Sequence, residues 1–516
     1  MALLKNALIE RRKLLCGMGT LPLLKRAQRH AVLVICEQFQ HNVGSFAGGP
    51  ARTPSLERFA ASAVMFRTAC TTTGLCSPAR AALWTGRLGH RTGLDDNCNV
   101  WHSRLTRLEL NQPTLIEWAR RKGYFVGYFG KWHLGRDGPI LRGADRYPPQ
   151  GFDRVQSPPG KVDRKPDFTF TRKYYQPGAR FIEKPGFYAR AAGSYENSEP
   201  ARLAAQAREF LHEARHVGKP FFLTVSFNAV HPPYHVPEPY CRLYDPALAQ
   251  LPASLGDSFA GKPAYQNEIM WPFHDTGHLS EDDWRRLIAH YYGFVTLLDR
   301  ALGEIESALA ESGLAQSTMV VITADHGDMV GAHNRFDKGP YCYDEIMRIP
   351  LLIRAPGIRP REVRRHVSLI DVNRTLVDWM GLQPDVPPED SRSLLPLMER
   401  GDAGWSQPDQ AFYRYEWYNG RWFGIRAVRT PTHKYCFNPA GVDEFYDLKA
   451  DPAEMKNLAA AAGAPAAMRI LQERLLSHLA DTNDAMLYAK FKEYLSASGA
   501  KSNSIARPSQ GGRHEA

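Results

Sequence analysis

Short, almost wholly apolar runs recur along the chain, and each breaks off at polar residues. AVLVIC (31–36) stops at Glu37 and Gln38; FVGYFG stops before Lys131; PFFLTVSF (220–227) stops at Asn228, with His231 close behind; TMVVITADHG (318–327) ends in Asp325 and His326. Apolar runs of this length without alternation are the pattern of strands buried on both faces. Between them lie segments with helical periodicity. TPSLERFAASAVMF (53–66) predicts a helix with Thr53 as N-cap and Pro54 at its first position. TLIEWARRKGY (114–124) predicts another, closed by Gly123, and residues 284–313 predict a long amphipathic one. Alternating helices and apolar strands predict an α/β domain around a mostly parallel sheet. Ligands of such sheets bind beyond the carboxyl ends of the strands, where the polar residues named above fall.

The organisation read from the pattern is an N-terminal extension over 1–30, a catalytic α/β domain over 31–383, and a linker over the Pro-rich 384–404. A small C-terminal subdomain follows over 405–490, made of short aromatic strands and a helix near 465–481. A polar, disordered tail ends the chain over 491–516. Residues 141–200, rich in Pro, Gly, Arg and aromatics, predict a long irregular excursion at the rim of the site. Together with 241–280 they are where specificity is expected, with Trp101, Tyr174, Tyr175 and Tyr234 as pocket-lining or packing aromatics.

Composition narrows the class. The chain has 516 residues, enough for two or three domains, with 43% hydrophobic and 23% charged residues, as in an ordinary globular protein. No apolar run reaches the roughly 20 residues of a membrane span. The net charge of +11 has no basic block of the nucleic-acid-binding kind, and a positive field suits an anionic small substrate. Neither membrane nor nucleic acid is an expected partner. The eight cysteines show no CxxC or zinc spacing; their even count leaves a bridge or two open. Arg11-Arg12 before a short apolar run has the outline of a twin-arginine export signal, but no A-x-A cleavage site follows. The favoured reading is an extension, in a chain whose scattered reduced cysteines lean cytoplasmic.

The chemistry-bearing residues form five motifs. GLCSPAR carries Cys76, Pro78 and Arg80 as C-x-P-x-R, with Thr85-Gly86 after it. The first strand delivers Glu37-Gln38; GKWHLG supplies Lys131 and His133; NAVHPPYH supplies Asn228 and His231; ADHGDMVGAHNRFDKG supplies Asp325, His326, His333 and Lys338. Taken singly, each has a plainer reading: a buried thiol, a surface cation, a structural histidine. Taken together and in this order, over roughly residues 31–380, they resemble the type I sulfatases of the alkaline-phosphatase superfamily. The tail DEFYDLKADPAEMKNLA extends the likeness.

The resemblance implies a large mostly parallel sheet sandwiched by helices, with a small antiparallel α+β subdomain at the C-terminus. It implies that Cys76 is oxidised after translation to formylglycine by a formylglycine-generating enzyme, a transient partner. The aldehyde hydrates to a gem-diol, which attacks sulfur or phosphorus, and the resulting hemiacetal ester collapses by C–O cleavage. One divalent cation is implied, with Glu37, Gln38, residue 76, Asp325 and His326 as ligands. Arg80, one helical turn from residue 76, would hold the nucleophile's oxygen. Lys131 and Lys338 would contact the sulfate or phosphate oxygens, His133 would take the hemiacetal proton, and His231, with Lys338, would protonate the leaving group. His333 would hydrogen-bond the site or pack; Asp95, Asp96 and Asn97 would reach the substrate or stand behind the metal.

Two positions depart from the family pattern. Glu37 stands where Asp is usual, and Gln38 where Asp is frequent. His326 replaces the Asn of many sulfatases. A neutral Gln and an imidazole leave fewer anionic ligands, which shifts the expected metal from calcium toward manganese or magnesium. Gln38 with His326 also points to the branch resembling phosphonate monoester hydrolases and their arylsulfatase relatives. The leading expectation is hydrolysis of a small sulfate monoester. The alternatives are a phosphonate monoester or phosphodiester hydrolase on the same machinery, and a non-catalytic binding homologue.

Overall fold

The apolar runs are neighbours in one eight-stranded sheet. Its order is Arg361–Val363, Val64–Phe66, Leu351–Arg354, Thr318–Ala324, His30–Cys36, Phe221–Phe227, Phe125–Gly130 and Arg154–Val155. His30–Cys36 is flanked by two parallel strands in register: Cys36 lies level with Phe227 and with Ala324. Every residue of these three strands is buried, which is why none alternates in polarity. Leu351–Arg354 alone runs against the others. The structure, a computed structural model, describes residues 29–98, 108, 112–135, 154–155, 186–270, 274–460 and 465–497. The Arg11-Arg12 segment, most of the 141–200 excursion, Trp101, Tyr174, Tyr175 and the end of the tail lie outside the described residues.

Helices flank the sheet in two groups. Glu281–Glu311 packs on Glu199–Val217 and Pro54–Ala60; Cys76–Thr85 packs on Asp371–Met380 and Leu115–Arg121. Local chemistry sets their ends. Glu117 Oε2 accepts from Thr114 N–H at 2.7 Å and so caps the start of Leu115–Arg121. The long helix starts at Glu281 under a Ser280–Asp283 box.

Four strands, Ala411–Tyr418, Arg421–Arg429, His433–Phe437 and Glu444–Asp447, form an antiparallel meander, the expected C-terminal sheet. Its Tyr413, Tyr415, Phe423 and Ile425 share a buried cluster with Leu75, Met329, Tyr343 and Ile346 of the large domain. The small sheet therefore packs directly behind the residue preceding Cys76.

Three expectations are corrected. The predicted 53–66 helix ends at Ala60, and Val64–Phe66 is a strand. The 384–404 segment is no linker: Leu394, Leu397 and Met398 are buried in the main core, and Asp385 accepts from Trp118 Nε1 at 3.0 Å. Of the 491–516 tail, 491–497 is helical, the end of Ala485–Ala497, with Phe491 fully buried against Tyr435 and Phe437. Of the two readings offered for Tyr234, packing holds: it is a core residue against Tyr291 and Phe336. The seven described cysteines are all free thiols, and among the described residues no helix is long and apolar enough to cross a membrane.

Candidate active site

Level strand ends put the loops that follow them side by side. Glu37 N–H donates to Ala229 O at 3.2 Å and Val230 N–H to Glu37 O at 2.9 Å, joining the first two loops. Gln38 N–H donates to Asp325 Oδ1 at 3.3 Å, joining the first to the third. Lys131 N–H donates to Ser226 O at 2.8 Å. Cys76 is the first residue of its helix, entered from an extended Leu75. The helix closes on Gly86 at φ 68°, a left-handed position where a side chain would also meet Pro388 and Asn373. Ser77 fixes its start: Ser77 N–H donates to Asn97 Oδ1 at 3.1 Å, and Ser77 Oγ to His133 O at 2.7 Å.

Arg80 is fully buried, which excludes the surface-cation reading. Its Nε donates to Asp325 Oδ2 at 2.9 Å, and its terminal nitrogens to Ser226 Oγ at 2.8 Å, Lys131 O at 2.9 Å and Glu37 Oε2. Glu37 thus accepts from Arg80 on one oxygen, while the other accepts from Lys131 Nζ and lies 3.0 Å from Cys76 Sγ. The extra methylene relative to Asp lets one carboxylate reach all three. Burial alone would raise the Glu37 pKa, but Lys131 and Arg80 hold it well below the usual carboxylate range. Burial and the neighbouring Glu37 push the Cys76 thiol up.

His326 Nδ1 lies 2.8 Å from Gly327 O, which can only accept, so Nδ1 carries the ring proton. The lone pair of Nε2 then faces Cys76 Sγ at 3.2 Å. Donor atoms of Glu37, Cys76, Asp325 and His326 all lie within 4.8 Å of one another and are buried. Two carboxylates and a neutral imidazole offering a lone pair fit a divalent cation of borderline to hard character.

Gln38 has other partners. Its amide donates to Asp328 Oδ2 and Asp337 Oδ1, and its Oε1 accepts from Lys338 Nζ. Lys338 also meets His231, whose pKa is lowered to about 3 by burial and by Lys338 and Lys131. His133 is buried at φ 59°, its pKa held well below the usual imidazole range by burial and Lys131. The structure therefore gathers Glu37, Cys76, Arg80, Lys131, Asp325 and His326 in one contact network, and Gln38, His231 and Lys338 in an adjoining one.

His333 belongs elsewhere. It bonds Asp257 Oδ2 at 2.6 Å and stacks on Tyr343 at 3.7 Å. Asn97 holds Ser77, and Asp96 Oδ2 accepts from Gly420 N–H of the C-terminal sheet at 3.0 Å. Sequence reasoning missed Asp328 and Asp337, although both lie inside the quoted ADHGDMVGAHNRFDKG. It also missed His274 and Tyr418, which bond Lys338 O at 2.7 and 3.2 Å; no local signal marks them.

Comparison with known proteins agrees with this geometry. The model of the family described as Sulfatase matches residues 29–382, and one described as N-sulphoglucosamine sulphohydrolase, C-terminal, matches residues 331–481. An uncharacterized sulfatase of Escherichia coli (strain K12) is 28% identical over 443 residues, covering 82% of this chain and 81% of that protein. The choline-sulfatase of Rhizobium meliloti (strain 1021) is 28% identical over 446 residues, covering 81% and 80%. The crystal structure of the phosphonate monoester hydrolase of Agrobacterium radiobacter superposes with a TM-score of 0.71 at 26% identity, covering 88% of this chain and 96% of that one. With a family match spanning the large sheet and every strand-end loop of the site, this chain belongs to the sulfatase family.

Proposed function

We propose that this protein is a sulfuric ester hydrolase that cleaves a small sulfate monoester with residue 76, converted to formylglycine, as nucleophile. The observation that carries this reading is the buried convergence of Glu37, Asp325, His326 Nε2 and Cys76 Sγ, flanked by Arg80, Lys131 and Lys338. A divalent cation held by Glu37, Asp325, His326 and residue 76 would supply Lewis-acid polarisation of the ester oxygens. Formylglycine would supply an oxygen nucleophile in place of a thiol that burial and Glu37 keep protonated.

The side chains have separable tasks. Arg80 holds Glu37 and Asp325 in fixed orientation and, with Lys131, keeps Glu37 ionised. Lys131, on the Glu37 side, and Lys338, on the His231 side, bracket the position of the ester's anionic oxygens. His231 has its Nδ1 2.6 Å from Pro232 O, so Nδ1–H donates and Nε2 faces Lys338. That pair is the proton source for the leaving alkoxide. His133 keeps a neutral ring in its buried position, as a base requires. Three cations, Arg80, Lys131 and Lys338, face three carboxylates, Glu37, Asp325 and Asp337. An added dication then leaves a positive centre suited to an anionic ester.

Phosphonate monoester hydrolysis is the second reading, favoured by the Agrobacterium radiobacter enzyme's likeness and the Gln38/His326 pair. Turnover of 4-nitrophenyl sulfate and of a 4-nitrophenyl phosphonate ester, with the same bound metal, separates the two. The sulfatase reading expects the higher kcat/KM on the sulfate. Preference for the phosphonate selects the second reading, and inactivity on both with an aldehyde at residue 76 overturns each.

A further inference from the structure

The helix Glu199–Val217 carries His212-Glu213-Ala214-Arg215-His216 in its last turns. This is H-E-x-x-H, and on a helix the four-residue spacing puts both imidazoles on one face. That face is the open one. Leu203, Ala207, Phe210, Leu211 and Ala214 are buried on the other side, while His212 and His216 are exposed. Their ring centroids lie 5.4 Å apart. Among the described residues neither ring takes a hydrogen bond or an ion pair.

A metal ion about 2.0–2.1 Å from an imidazole nitrogen stands about 3.2 Å from the ring centroid. Centroids 5.4 Å apart therefore subtend about 115° at such an ion, close to the tetrahedral angle. The donor type selects the metal: imidazole suits nickel, copper and zinc, whereas magnesium and calcium prefer oxygen. A dication in the last turn also meets the negative end of the helix dipole. H-E-x-x-H is the motif of zinc peptidases too, but those add a third protein ligand. Among the described residues, the one group of three or more such donors within 4.8 Å of one another is Glu37, Cys76, Asp325 and His326. No third side chain therefore joins the histidine pair.

We propose that His212 and His216 form an accessory metal site that holds a nickel, copper or zinc ion between two imidazoles, with water in the remaining positions. The ion staples the last turns of a helix whose first residue, Glu199, accepts from Asn228 N–H of an active-site loop at 2.8 Å. The pair stands about 26 Å along the axis from Glu199, at about 1.5 Å per residue. It therefore stabilises the fold and takes no part in ester hydrolysis, and it is independent of the hydrolase reading above.

The test titrates nickel chloride into untagged full-length protein by isothermal calorimetry, in excess magnesium so that the Glu37 cluster is loaded first. Wild type is compared with His212→Gln, His216→Gln and the double variant. The wild type takes up about one more nickel ion per chain than the double variant. Each single variant, left with one imidazole, binds that ion at least about 10-fold more weakly. Nickel also raises the thermal midpoint of the wild type more than that of the double variant, and kcat/KM in magnesium is the same for all four proteins. Equal nickel uptake and affinity in wild type and double variant overturn the site. Full affinity in either single variant overturns the pairing of the two rings. Loss of hydrolysis in the double variant overturns the accessory role. The nickel count is read whether or not the chain hydrolyses an ester, so failure of the hydrolase reading leaves this result standing.

Discussion

Replacing Arg80 with methionine isolates what the buried guanidinium contributes. The stem volume is kept, but Glu37 and Asp325 each lose a donor, as do Ser226 Oγ and Lys131 O. Both Arg80 and Glu37 are entirely shielded from water. Removing one partner of such a pair costs about 3–5 kcal/mol, because the other is left as an uncompensated buried charge. Lys131 remains on Glu37 and limits the loss there; Asp325 has no second cationic partner among its described ion pairs. A cost near 4 kcal/mol would be a large share of the roughly 5–15 kcal/mol by which domains are stable.

Urea unfolding followed by tryptophan fluorescence measures the cost, once with chelator and once with manganese. The two conditions differ in a defined direction. A cation on Glu37 and Asp325 gives both carboxylates a new partner, so Arg80→Met loses less stability with metal than without. For the wild type, metal at 100 times its Kd adds about 2.7 kcal/mol, and the variant, with more unpaired charge to relieve, gains more. A loss below about 1 kcal/mol in chelator refutes the energetic role of the network. An identical loss in both conditions refutes placement of the cation on these carboxylates.

Three further outcomes are expected. Cys76→Ala folds, with an unchanged circular dichroism spectrum, and has no turnover; in the active wild type, mass spectrometry of the residue-76 peptide finds an aldehyde in place of CH2SH, and a fully active alanine variant would end the mechanism. Chelator treatment abolishes hydrolysis and added manganese, magnesium or calcium restores it, whereas activity surviving with no divalent ion by elemental analysis contradicts the site. His30 accepts from Phe221 N–H through Nδ1 at 3.1 Å, and burial lowers its pKa to about 4. The unfolded chain therefore binds a proton at about pH 6.5 that the native state refuses until about pH 4. Stability from this group is complete above pH 6.5 and is lost as pH falls toward 4. The limb should be shallower in His30→Gln, and an unchanged slope would show that His30 is not its source.

The candidate site was legible because its determinants are local. A strand buried on both faces must be continuously apolar, so its end is visible in the sequence, and the first polar residues after it mark the ligand side of a parallel sheet. Glu37, Lys131, His231 and Asp325 were all found that way. Cys76 and Arg80 share a short motif on one helical turn. The errors arose where an element is too short to show its period or where its partners are distant. Val64–Phe66 has three residues, fewer than alternation needs to be recognised. The 384–404 segment has loop composition but places Leu394, Leu397 and Met398 against a core assembled from the rest of the chain.

Gln38 shows a contact that position alone does not report. Adjacent to Glu37, it is read by position as a metal ligand. Its partner Lys338 lies 300 positions away, and no periodicity reports a contact of that span. What the sequence does record is the change of residue type. An aspartate at position 38 would add a third carboxylate beside Asp328 and Asp337, which already press on each other: burial and Asp337 raise the Asp328 pKa to about 8. A neutral amide, donating to both acids and accepting from the lysine, lets the cluster coexist. A neutral residue at position 38 thus suits the company it keeps on the lysine side of the site.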